Sequence, residues 1–198
     1  MQLYLETPRL RLRRFTPADE EVLVELDGDP EVMRYISGGA PTPRRFIETD
    51  VLPRFLRSYE GRDGFGVWAA IERRAGDFVG WFSLLPSDGG NPTEARLGFR
   101  LRKAAWGKGY ATEGARALVR KSFEELGVTR LLASTYQDNV ASQRVMEKAG
   151  MVPRRRFRPT ASDLLSLSSP DRLAGEIWEG DEVEYALEKS TWERAHPR

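Results

Sequence analysis

The segment WGKGYATEG, residues 106–114, joins a strand pattern to a helix pattern. Before it, apolar residues alternate with polar residues or glycine from Glu94 to Leu101, the period of a half-buried strand. After it, apolar residues recur on one helical stripe from Ala115 to Leu126. Glycines let a ligand approach the backbone closely, and the first N–H groups of a helix are unpaired and favour an anion. The segment therefore predicts a phosphate-binding turn, with a plain strand–turn–helix connection as the alternative.

Two common nucleotide-binding patterns do not fit this segment. It lacks the span and the terminal Lys-Ser/Thr pair of an ATP-binding loop. The dinucleotide pattern G-x-G-x-x-G also fails, because Thr112 holds its final glycine position.

Composition excludes several chemistries. The 198 residues suit one domain, with or without an elaboration, and a net charge of +1 indicates neither a nucleic-acid partner nor a membrane surface. Cysteine is absent and His196 is the single histidine, so disulfides, thiolate metal sites and a histidine-based triad are not expected. No apolar run is long enough to span a bilayer. We therefore expect a cytoplasmic protein without a metal ion.

Periodicity and turn residues predict a chain that alternates strands and helices. Pro53 should kink or divide the helix that begins at Thr42-Pro43 and runs toward Tyr59, because proline disrupts a helix interior. Residues 159–180 read as an inserted loop or short helix. The expected strands are 9–15, 65–71, 78–84, 94–101, 130–136, 151–157 and 182–188, and the expected helices lie within 16–59, 110–126 and 139–149.

A second segment, NVASQRVMEKAGM at residues 139–151, reads as a short helix. In the simpler interpretation Asn139 caps this helix, while Val145, Met146 and Ala149 face the core.

Together the two segments resemble the GNAT superfamily of acetyltransferases. The pyrophosphate motif Gln/Arg-x-x-Gly-x-Gly/Ala falls on Trp106, Gly109 and Ala111, with Trp106 departing from the consensus. Residues 139–151 resemble the second signature, Asn-x-x-Ser-x-x-x-x-Glu-Lys-x-Gly-Phe, and WGKGYATE is similar to the ribosomal-protein N-terminal acetyltransferase branch. The resemblance implies an α/β (α+β) GNAT fold with a mixed, mostly antiparallel sheet of about seven strands and flanking helices. It also implies a single domain over residues 1–198, with an insertion at 159–180.

The resemblance implies acetyl-CoA as acetyl donor and no metal. Asn139 would contact the pantetheine–phosphate region, and Ser142 would lie near the thioester sulfur as a catalytic residue. Met146 stands where many members have a tyrosine that protonates the thiolate, so that mechanism is excluded here. A backbone N–H of Phe99 or Arg100 would polarise the thioester carbonyl. By position, the coenzyme-binding residues would be Phe99, Arg100, Leu101, Trp106, Gly107, Lys108, Gly109, Tyr110, Ala111, Thr112, Asn139 and Ser142.

The general base is where this chain departs from the resemblance. The branch often has Glu where this chain has Arg96. Glu94 lies on the same strand face about 7 Å away and is the candidate base, acting through water or after a shift. Its alternative role is that of a solvated strand end. A weak base predicts an acceptor amine of low pKa, such as a protein N-terminus or a small amine, rather than a lysine side chain.

Two other functions remain open from the sequence. One is a non-catalytic acyl-CoA-binding or regulatory domain, and a homodimer is compatible with either. The other is RNA binding through Arg154–Arg158, although arginines on a strand should alternate between its two faces.

Overall fold

A single eight-stranded sheet runs through the computed structural model, which describes residues 2–61, 63–87, 91–159 and 180–197. The strand order is β1-β2-β3-β4-β5-β6-β8-β7, and every neighbouring pair is antiparallel except β5 and β6. The mixed, mostly antiparallel sheet expected from the sequence is confirmed. The strands are β1 Leu3–Glu6, β2 Leu10–Arg14, β3 Gly66–Glu72, β4 Phe78–Pro86, β5 Glu94–Leu101, β6 Arg130–Tyr136, β7 Val152–Phe157 and β8 Glu182–Glu188.

The helices flank this sheet on both faces. They are α1 Glu20–Gly28, α2 Pro30–Met33, α3 Arg44–Phe46, α4 Leu52–Arg57, α5 Tyr110–Glu124, α6 Val140–Lys148 and α7 Lys189–Ala195. A π-helical turn at Ile47–Val51 separates α3 from α4 and ends just before Pro53. The predicted effect of Pro53 is confirmed, since the regular α-helix is interrupted by this wider turn. The interruption lies just before Pro53, which has no N–H to donate to the helix. The predicted insertion at 159–180 lies, but for its first and last residues, outside the described residues.

Each face of the sheet covers its own hydrophobic core. One core joins α5 to the sheet through Phe82, Leu97 and Leu118, and the other joins α1 and α4 to it through Phe55 and Trp81. Burial on both faces explains why eight consecutive residues of β4 are buried. At Gly114 of α5, an added Cβ would lie 2.3 Å from the Phe82 ring, so the helix packs directly on β4.

The neighbouring strands β5 and β6 separate part-way along their length. Their parallel pairing begins at Glu94 with Arg130 and stops at Arg96 with Leu132. Beyond that point β5 pairs with β4 as far as Leu101, while β6 pairs with β8 as far as Tyr136. The sheet therefore opens between two strands that stay hydrogen-bonded on their outer sides.

Candidate active site

A cavity occupies the opening between β5 and β6. Residues of both separating strands line it, together with side chains from α6, from β4 and from the segment after α2. The lining residues are Tyr35, Ile36, Trp81, Ser83, Arg96, Leu97, Gly98, Phe99, Arg100, Ala133, Ser134, Thr135, Tyr136, Asn139, Ser142 and Met146. The cavity therefore brings the second signature segment against the exposed end of β5.

The N–H groups of successive β5 residues point alternately toward β4 and toward the opening. Arg102 N–H donates to Val79 O at 3.0 Å and Ser87 N–H donates to Glu94 O at 3.2 Å, so even-numbered residues bond to β4. In an antiparallel pair the backbone N–H groups of the residues in between point away from the partner strand. Phe99 N–H consequently faces the opening, whereas Arg100 N–H faces β4. Of the two donors expected from the sequence, the geometry supports Phe99 and argues against Arg100.

The glycine turn leads from β5 into α5. Gly107 and Gly109 have φ values of 72° and 81°, in the left-handed region that glycine adopts without strain. The helix's first backbone bond runs from Glu113 N–H to Gly109 O at 3.0 Å. The N–H groups of Tyr110, Ala111 and Thr112 precede that bond, so they are available to an anion at the helix N-terminus.

Trp106 and Leu101 close the end of β5. The Trp106 indole N–H donates to Leu101 O at 2.8 Å, on the side of the strand that no longer pairs with β6. This contact explains a tryptophan at the first motif position: it satisfies a carbonyl that the separation of the strands leaves without a ladder partner.

Arg9, which sequence reasoning missed, holds the turn from outside. Its Nη1 donates to Lys108 O at 2.8 Å, its Nε lies 2.6 Å from Glu113 Oε2, and its guanidinium lies 4.8 Å from the Tyr110 ring centroid. Although burial alone would raise the pKa of Glu113, hydrogen bonds from Thr7 and Arg9 lower it. The charged pair ties the start of β2 to the first turn of α5.

Asn139 and Ser142 both line the cavity at the start of α6. Asn139 Oδ1 accepts from Ser142 N–H at 3.2 Å, so the predicted helix cap is confirmed. Met146 and Ala149 are buried, as expected, and Val145 packs against the same core. Met146 places a thioether rather than a hydroxyl at this wall of the cavity.

Glu94 lies outside the cavity. Its carboxylate is 3.6 Å from Arg130 Nη1 across the start of the β5–β6 pair, and its side chain is 14% exposed. The cavity-lining residues of the described chain include no Asp, Glu or His. The structure thus brings the predicted coenzyme residues of β5 and α6 together without bringing Glu94 to them.

Arg96 forms the charged wall of the cavity. Its Nη2 donates to Ser134 Oγ at 3.2 Å and its Nη1 lies 3.6 Å from Glu184 Oε2. Glu184 is buried and also accepts from Arg154 at 3.2 Å and from Arg155 at 3.0 Å. Burial alone would raise the pKa of Glu184, but the hydrogen bond from Arg155 and the charges of the three arginines lower it. A carboxylate held ionised in this way is an ion-pair partner rather than a proton acceptor.

The arginines of β7 correct a sequence-based expectation. Strict alternation would put Arg154 and Arg155 on opposite faces, but the register shifts between Pro153 and Arg155. Because of this bulge, both side chains reach Glu184. Two of the arginines considered for RNA binding are thus engaged with one buried carboxylate.

Comparison with known proteins decides the family. A profile of the acetyltransferase (GNAT) domain matches residues 9–152. The chain belongs to the GNAT family of acetyltransferases. It is 34% identical over 199 aligned positions to the FsC-acetyl coenzyme A-N(2)-transacetylase of Aspergillus fumigatus, covering 96% of this chain and 78% of that protein. The crystal structure of a GNAT-family acetyltransferase from Bacillus anthracis matches with a TM-score of 0.71 at 25% identity, over 94% of this chain and 98% of that one.

A second solved structure supports the GNAT fold. The ribosomal L7/L12 alpha-N-protein acetyltransferase RimL, solved in complex with coenzyme A, matches with a TM-score of 0.71 over 94% of this chain and 98% of that one. Its sequence identity is 14%, so this likeness concerns the fold alone.

As a GNAT N-acetyltransferase, the chain uses acetyl-CoA as its acetyl donor. The residues present fit this group, because the glycine turn leaves backbone N–H groups open to a pyrophosphate and Phe99 N–H faces the cavity beside it. None of the helices in the described part of the chain is both long and apolar enough to cross a bilayer. Within the same residues, no three His, Asp or Glu side chains are grouped to hold a metal ion.

Proposed function

We propose that this GNAT acetyltransferase transfers the acetyl group to a primary amine of low pKa, such as a protein N-terminal α-amine, by direct attack of the amine on the thioester. The observation that carries the proposal is the absence of Asp, Glu and His from the described residues that line the cavity. An acceptor therefore has to arrive substantially as the free amine, or lose its proton to water.

The fraction that is neutral at pH 7 differs greatly between the two main kinds of acceptor amine. Near pH 7 an α-amine with a pKa of about 7.8 is roughly one-seventh neutral, whereas a lysine side chain at about 10.4 is neutral in about one molecule in 2,500. The difference of several hundredfold corresponds to about 3.5 kcal/mol. A site without a strong base therefore favours α-amines.

The remaining chemistry needs few groups. Phe99 N–H would donate to the carbonyl oxygen as negative charge develops on it, and the walls of the cavity would hold the amine beside the thioester. Ser142 would position the departing thiolate or donate a proton to it, because Met146 on the next turn of α6 cannot. Asn139, whose Oδ1 caps α6, would contact the pantetheine arm through its amide nitrogen.

The name of one similar protein agrees with this choice of acceptor. The Aspergillus fumigatus relative, 34% identical to this chain, is named for transfer to an N(2) nitrogen.

Acetylation of peptides that carry both a free N-terminus and an internal lysine tests the proposed acceptor. We expect mass spectrometry to find the acetyl group on the N-terminal amine, with free coenzyme A thiol released in step. Preferential acetylation of lysine Nε would contradict the proposal.

In the same assay Glu94→Gln should change turnover by less than about 3-fold, because Glu94 pairs with Arg130 outside the cavity. A loss near 100-fold would instead support the water-mediated base.

Ser142→Ala is expected to lower kcat on the order of 10²-fold while changing the KM for acetyl-CoA much less. The reason is that Ser142 would act on the thiolate as it leaves rather than on the bound thioester. Steady-state kinetics with varied acetyl-CoA measure both quantities. Ser190→Ala, in the first turn of α7 and exposed, is the matched control and should leave both unchanged. If Ser142→Ala changes the KM alone, Ser142 is a binding residue.

A further inference from the structure

The two faces of β5 bear different kinds of side chain. Leu97 and Leu101 point into the core shared with α5. The alternate residues Arg96 and Arg100 point to the other face, where Arg100 pairs with Asp27 of α1. Arg96 therefore lies on the face of α1 and α2, opposite the helix that carries the glycine turn.

The guanidinium of Arg96 is a cation with donor capacity left over. Arginine has five N–H donors, and the contacts to Ser134 and Glu184 occupy part of them. Glu184 holds Arg96 at 3.6 Å but Arg154 and Arg155 at 3.2 Å and 3.0 Å, so Arg96 is the least closely held of the three. Its side chain is 20% exposed and lines the cavity.

The other charged residue that lines the cavity, Arg100, already forms an ion pair within the protein. Arg100 Nη1 lies 2.6 Å from Asp27 Oδ1, and both side chains are almost completely buried. Since no carboxylate is found among the described lining residues, a ligand that enters this face meets Arg96 as its charged contact.

We propose that Arg96 binds an acidic group of the acceptor, so that the preferred substrate is an amine that carries a carboxylate close to the reacting nitrogen. This inference rests on the proposed function and specifies the substrate class of the same site. A carboxylate and a guanidinium form two parallel hydrogen bonds, which fix orientation as well as charge. Ser134 and Glu184 would hold the Arg96 side chain in place for that contact.

The decisive experiment compares two peptides that differ in one group. The peptides Ala-Asp-Ala-Phe amide and Ala-Asn-Ala-Phe amide have closely similar N-terminal amines but differ by one carboxylate. Calorimetric titration into protein saturated with coenzyme A measures binding without turnover. We expect the Asp peptide to bind at least about 10-fold more tightly, the factor typical of hydrogen bonds to a charged group. In Arg96→Gln both peptides should bind equally, and Arg96→Lys should keep part of the preference.

Arg154→Gln is the matched control. It also removes an arginine from Glu184, but Arg154 lies outside the cavity lining, so the preference should survive. Coenzyme A affinity, measured for every variant, reports an intact fold. Equal binding of both peptides by the unsubstituted protein, including no measurable binding of either, overturns the inference, as does a preference that persists in Arg96→Gln.

Acetyl-transfer assays with the same peptides keep the two proposals apart. Equal binding of the two peptides together with N-terminal acetylation of the Asn peptide would overturn the acidic-group inference and leave the proposed function standing. A binding preference that is lost in Arg96→Gln, with no acetyl transfer to either peptide, would support the inference and contradict the proposed function.

Discussion

Gly109→Glu is expected to weaken acetyl-CoA binding by at least about 100-fold, because it places bulk and negative charge where a pyrophosphate would meet the N-terminus of α5. Gly109 has a φ of 81°, and an added Cβ would lie 3.4 Å from Arg9 Nη2. The longer carboxylate would therefore compete with Glu113 for Arg9 and repel the phosphates. Calorimetry with acetyl-CoA measures the loss directly.

Gly76→Glu provides the matched control for this substitution. Gly76 lies in the turn between β3 and β4, has a φ of 79°, and would have no atom within 4 Å of an added Cβ. Both substitutions carry a similar left-handed backbone cost of roughly 1–2 kcal/mol, so they differ in location rather than in strain. Gly76→Glu should bind acetyl-CoA normally. Unchanged affinity in a folded Gly109→Glu protein would refute the coenzyme site.

Asp27→Ala is expected to lower the free energy of unfolding by about 3–5 kcal/mol, because it removes one partner of an ion pair whose two charges are both almost completely buried. Arg100 Nη1 lies 2.6 Å from Asp27 Oδ1, and the two side chains are 4% and 1% exposed. Urea unfolding monitored by tryptophan fluorescence measures the loss of stability.

An exposed ion pair serves as the control for the buried pair of Asp27 and Arg100. Arg44 contacts Glu21 at 2.8 Å, with side chains 48% and 63% exposed, and Glu21→Ala should lower the free energy of unfolding far less than Asp27→Ala does, because water screens the exposed pair. The double variant Asp27→Leu, Arg100→Met should recover much of the loss, since it removes both charges together. A loss below about 1 kcal/mol for Asp27→Ala would show that water reaches the Arg100 charge.

The sequence was most informative where local chemistry determines structure. The alternation in β5, the glycines before α5 and the cap at Asn139 act within a few residues, and each lies where periodicity placed it. The short edge strand β1 was missed because its four residues are partly exposed and lack a clear alternation. The sheet consequently has eight strands, against an expectation of about seven.

Several features of the site and its surroundings depend on contacts between residues far apart in the sequence, which no local pattern carries. Arg9 reaches Glu113 across 104 positions of the chain, and Arg100 meets Asp27 across 73. The shift in β7 that brings Arg154 and Arg155 to one carboxylate has no marker beyond Pro153. The pairing of Glu94 with Arg130 likewise follows from strand order, which periodicity does not specify.

The opening between β5 and β6 bears on the order of events in the reaction. Ser142 and Met146 border it from α6, and Met146 belongs to the α5 core, whereas Trp81 borders it from the core of α1 and α4. Donor and acceptor can thus approach one gap from opposite faces of the sheet. In the proposed direct attack the amine meets the thioester while the acetyl group is still on the coenzyme, so the transfer takes place in a ternary complex. The deacylated coenzyme then has no need to depart before the amine arrives.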